Sequence, residues 1–98
     1  MDIIYASLHR RDTGGLLPAG EADEVRGALW AHARPDDALQ HITVRSESER
    51  VDLLVYLTLS TADHTEGALQ RVHHLLSRVH QASPLMRRRY LPPASPGR

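Results

Sequence analysis

Gln40 to Ser60 reads Q-H-I-T-V-R-S-E-S-E-R-V-D-L-L-V-Y-L-T-L-S, and its two runs of alternating character decide the fold. In Gln40 to Arg45, Ile42 and Val44 fall on one side of an extended chain and His41, Thr43 and Arg45 on the other. Val51 to Ser60 alternates over a longer span. Val51, Leu53, Val55, Leu57 and Leu59 share one phase, opposite Asp52, Leu54, Tyr56 and Thr58. The polar run Ser46-Glu47-Ser48-Glu49-Arg50 between them predicts a hairpin connection, although it lacks an Asn-Gly turn.

Working outward, Asp2 to His9 (D-I-I-Y-A-S-L-H) is rich in β-formers and predicts a first strand. Arg10 to Gly20 holds Gly14, Gly15 and Pro18 and has loop composition. Glu21, Asp23 and Glu24 then crowd a helical first turn, where acids complement the helix dipole. Ala22, Val25, Leu29 and Ala33 mark the apolar face of that helix, which Pro35, Asp36 and Asp37 stop. After the hairpin, Ser60, Thr61 and Asp63 offer caps for a second helix, with Glu66 completing a capping-box pattern. Ala68, Leu69, Val72, Leu75, Leu76 and Val79 form its apolar stripe, and Pro84 is expected to end it.

The predicted order is β-α-β-β-α, with Arg88 to Leu91 as candidate for a short fourth strand. This order resembles the ferredoxin-like class at the level of topology alone. The resemblance implies an α+β two-layer sandwich, with an antiparallel sheet covered on one face by two helices. Residues 1–86 would form that single domain, and residues 87–98, rich in Arg and Pro, a C-terminal tail.

Composition narrows the function. At 98 residues, with 41% hydrophobic and 24% charged residues, the chain suits one globular domain rather than a disordered segment. The longest apolar run, Leu53 to Leu57, is too short for a membrane span or a secretory signal, so a cytoplasmic location is expected. Cysteine is absent, which removes disulfides, thiolate metal sites and cysteine nucleophiles. Lysine, asparagine and phenylalanine are absent too, a bias pointing to a GC-rich bacterial genome. The formal charge of zero hides an asymmetry: residues 1–86 hold eight arginines against twelve acids, whereas residues 87–98 hold four arginines and no acid. An acidic body with a basic end is a poor match for duplex nucleic acid.

Two helices cover one sheet face only, so the other is the candidate working surface. The first strand allows two phases, Ile3, Tyr5 and Ser7 inward or Ile4, Ala6 and Leu8 inward. With the second set facing the helices, the open face collects Ile3, Tyr5, His9, His41, Arg45, Leu54 and Tyr56. A face this apolar calls for a cover. A second copy of the chain is the expected one, since two-fold dimers dominate oligomers. A different protein or a small ligand is the alternative, and the C-terminal tail folding back a third. Tyr5, His41, Arg45, Leu54 and Tyr56 are therefore the predicted partner-binding residues, and Arg87, Arg88 and Arg89 a separate anionic contact.

Chemical signatures are few. His73 and His74 diverge around their helix. His73 and His80 share a face but stand two turns, roughly 10.5 Å, apart, too far to share one metal ion. They are expected as boundary residues, and no metal or other cofactor is predicted. Neither G-x-S-x-G nor a phosphate-binding glycine loop occurs. His9 and His41 are the acid/base candidates, and would serve a cofactor-free enzyme resembling the dimeric α+β barrels. Tyrosines on an open sheet face also resemble RNA-stacking domains, but the RNP signature is missing and Arg45 is the face's only expected cation. The sequence therefore points first to a non-catalytic binding or accessory protein.

Overall fold

The computed structural model describes residues 2–12, 19–58 and 65–94. Three strands, β1 (Asp2–His9), β2 (Leu39–Ser46) and β3 (Arg50–Leu57), form one sheet in the order β1-β3-β2. β3 is central and antiparallel to both neighbours. Helix α1 (Glu21–Ala31) and a short 3-10 turn (Pro35–Asp37) link β1 to β2. Helices α2 (Thr65–Ala82) and α3 (Pro84–Arg89) follow the sheet. The protein is thus α+β, with a three-stranded antiparallel sheet against helices.

The period-two pattern sets which side of each strand is buried. Ile4 and Leu8 from β1, Ile42 from β2, and Val51, Leu53, Val55 and Leu57 from β3 all point into one core. Val25 and Leu29 of α1 and Ala68, Val72, Leu75, Leu76 and Val79 of α2 meet them from the other layer. Gly20 enters α1 with φ at +73°, a left-handed conformation that glycine adopts without steric cost. Asp37 accepts from the backbone N–H of Arg34 at 2.7 Å and pairs with Arg78 of α2 at 2.5 Å, tying the 3-10 turn to that helix. Ala38 then takes φ +55°, the one non-glycine residue at positive φ among those described.

Three expectations need correction or extension. β3 stops at Leu57 rather than Ser60: the Thr58 N–H still donates to the Ala38 carbonyl at 2.8 Å, but the Ala38 N–H turns to the Pro35 carbonyl at 3.1 Å, so no return bond completes the next pair. Pro84 does mark the end of the second helix, as expected, but a third helix follows at once. α2 ends at Ala82, and Pro84 opens α3 behind Ser83, whose hydroxyl accepts from the Met86 N–H. Proline fits there because the first turn of a helix has no use for its missing N–H. The Arg88 to Leu91 strand is reduced to one bridge, Arg10 with Tyr90, since the chain is helical as far as Arg89. Inside the expected tail Tyr90 is wholly buried in the core, as is Met86 of α3 just before it. The expected caps Ser60, Thr61 and Asp63 lie outside the described residues, as do Gly14, Gly15, Pro18, Leu59 and the side chain of Glu66.

Candidate binding face of the sheet

Strand register lines the open face with ranks of three side chains. Ile3, Tyr56 and His41 form the first, Tyr5, Leu54 and Thr43 the second, and Ser7, Asp52 and Arg45 the third. His9 and Arg50 follow at the hairpin end. The face therefore grades from apolar and aromatic to charged. Ile3 is 54% exposed, Tyr5 58% and Leu54 37%, high values for large hydrophobic side chains. Tyr56 is half-buried, its ring 5.3 Å from the exposed His41 ring and tilted by 60°.

A small polar network stiffens the charged end. The Tyr5 hydroxyl donates to Asp52 at 2.9 Å, and Arg50 Nε donates to the same carboxylate oxygen at 2.8 Å. The Arg50 hydrogen bond, with a smaller contribution from Tyr5, lowers the Asp52 pKa below its ordinary value. Arg45 stands out in solvent, its Nε 3.4 Å from a Glu47 carboxylate oxygen. Tyr5, Thr43, Arg45, Asp52 and Leu54 line an open basin of about 440 Å³.

The histidines do not converge. His9 lies opposite Arg50 and His41 opposite Tyr56, so they occupy different edges and opposite ends of the central strand. Six residues of strand separate them, roughly 20 Å. These two acid/base candidates stand on strands that are not neighbours, because β3 lies between β1 and β2. No histidine lines the basin. His80, expected at the boundary of its helix, is buried instead, with Nε2 2.9 Å from the Tyr90 carbonyl. Among the described residues no group of three or more His, Asp or Glu side chains could hold a metal ion.

The arginines of the C-terminal cluster are divided. Arg89 pairs with Glu24 of α1 at 2.7 Å, which raises its pKa, and Arg87 donates to the Gln81 carbonyl. Arg88 is exposed.

Sequence reasoning missed one polar site altogether. Glu21, read as a dipole-complementing acid, is 2% exposed. Its carboxylate accepts from Arg10 Nη2 at 2.6 Å and Nε at 2.9 Å, from the Tyr90 hydroxyl at 2.6 Å and from the Ser46 hydroxyl at 2.7 Å. Burial alone would raise its pKa, but the hydrogen bonds from Arg10, Tyr90 and Ser46 prevail and hold it at about 2. The Tyr90 phenol moves upward through burial and the adjacent carboxylate. Arg10 also donates to the Glu47 carbonyl at 2.6 Å. Every strong donor and acceptor is used within the protein, so this cluster is a structural clamp joining β1, α1, the hairpin and the chain after α3. A sequence signal existed for one member: Met86 and Tyr90 have the i, i+4 spacing of a helix-face pair.

No helix among the described residues is long and apolar enough to cross a membrane. Compared with the models of known protein families, with curated proteins and with solved structures, the chain matches none.

Proposed function

We propose that the chain is a non-catalytic binding protein of the ferredoxin-like class that works as a homodimer through its open sheet face. One observation carries the reading: Ile3, Tyr5 and Leu54 stand exposed beside Tyr56 and His41 on a single continuous face. Monomers rarely leave such a patch in water, and a two-fold copy covers it with the same surface. Arg45, Glu47, Arg50 and Asp52 at one end supply the polar rim that surrounds the apolar centre of many interfaces. Sheet order supports the ferredoxin-like assignment, since β3 sits between the strands that α1 connects. An acid/base role has no comparable support, because neither His9 nor His41 lines the basin.

Native mass spectrometry of the untagged chain tests the proposal. The expected species at micromolar concentration is a bare dimer of the 11.0 kDa chain. Leu54→Arg should convert it to a monomer with an unchanged circular dichroism spectrum. A wild-type monomer would overturn the homodimer. A dimer carrying extra mass would overturn the bare module in favour of one that encloses a ligand.

A further inference from the structure

We infer that the free edge of β1 is a strand-addition site for an extended peptide segment, separate from the open face. In an antiparallel ladder the N–H and C=O of one residue point the same way, and alternate residues point oppositely. The Arg10 N–H reaches inward to the Glu49 carbonyl, while the His9 carbonyl accepts outward from the Leu91 N–H at 2.8 Å. By that alternation the backbone groups of Ile3, Tyr5 and Ser7 also face outward. Among the described residues no hydrogen bond engages them.

The chain itself begins to use this edge. Tyr90 bridges Arg10, and Arg11 and His9 exchange backbone bonds with Arg89 and Leu91. Pro92 and Pro93 come next, and Pro93 has no N–H to offer the position opposite Ser7. The ladder stops after Leu91 and leaves a groove of about 240 Å³. Its walls include Ile4 and Ala6 of β1, Leu69, Val72 and His73 of α2, and Pro93. Nδ1 of His73 is buried without a hydrogen-bond partner, so this wall is not fully satisfied by its own chain. An antiparallel pairing is thus already established at one end, and the slot continues it with outward donors and acceptors at strand spacing above an apolar floor. That combination selects an extended chain with apolar side chains at every second position, turned toward α2. The intervening side chains would extend the open face.

A lysine-flanked peptide of alternating valine and threonine is the probe, followed by amide chemical shifts of the full chain. Saturable shifts are expected at Ile3, Tyr5, Ser7 and the facing residues of α2. With valines turned toward α2, the threonine N–H groups are those that bond β1. N-methylation of the threonine nitrogens should therefore weaken binding roughly tenfold or more, at about 1 kcal/mol per bond lost, while N-methylation of the valines leaves it intact. Ser7→Pro, which removes an outward N–H and no bond to β3, should weaken it similarly. Absence of saturable shifts, equal effects of both methylations, or shifts confined to Leu54, Tyr56 and His41 would each overturn the proposal. The last of these would leave the open-face reading standing.

Discussion

The molecule uses the same three groups, an arginine, a carboxylate and a tyrosine, in two places with opposite consequences. Arg10, Glu21 and Tyr90 meet inside the protein, where all three are almost wholly buried. Arg50, Asp52 and Tyr5 meet on the open sheet face, where Tyr5 is more than half exposed. The bond lengths are similar, yet the surroundings differ. Water screens the outer set and would solvate any member left alone. The inner set has no such recourse, so each group there depends on the other two. Geometry makes the two clusters look alike; dielectric decides which one the fold needs.

Three measurements press on this contrast. Arg10→Met should have the largest effect, destabilising the protein by about 3–5 kcal/mol in denaturant unfolding, because it strands a buried carboxylate. A loss below about 1 kcal/mol would mean that the clamp is already hydrated and that the two clusters do not differ in kind. Acid comes second. Glu21 has a folded pKa of about 2, below its unfolded value near 4.5, so its stabilisation is complete above the unfolded pKa and disappears as pH falls toward the folded one. The expected loss is about 3 kcal/mol, at roughly 1.4 kcal/mol per pH unit. It should vanish from the difference between wild type and Glu21→Gln if another carboxylate dominates. Smallest is Tyr5→Phe on the outer cluster, which in the Leu54→Arg monomer should leave the thermal midpoint unmoved. A clear drop in that monomer would show the outer cluster to be as sheltered as the interior even without a partner.

Much of the fold was legible because it rests on local periodicity. The hairpin, the inward phase of Val51, Leu53, Val55 and Leu57, and the apolar stripe from Ala68 to Val79 all follow from spacings of two or of three and four, whereas β1, apolar in both phases, left its inward side open. The same alternation put Leu54 and Tyr56 on the open face. The Glu21 clamp was not legible, since nothing near an acid in a first helical turn says that Arg10, Ser46 and Tyr90 will surround it. Those partners come from separate parts of the chain, and only the packed fold brings them together. The fourth-strand expectation failed for a related reason. Arg88 to Leu91 suits a strand locally, but Ser83 and Pro84 start a helix that runs as far as Arg89.

The clamp also alters how the chain can come apart. Segments near the end of a domain ordinarily fray, and their amides exchange with solvent through small openings that leave the rest intact. Here the hydrogen bond from Tyr90 to Glu21 spans 69 residues of sequence, and Tyr90 itself is wholly buried. Peeling the segment after α3 away from β1 would expose the ion pair between Arg10 and Glu21 along with the ring. Opening at this end is thereby coupled to opening of the whole. The amides of Tyr90 and Leu91 should exchange with the slow core of β3, so that in a chain without cysteine four hydrogen bonds do the work of a cross-link.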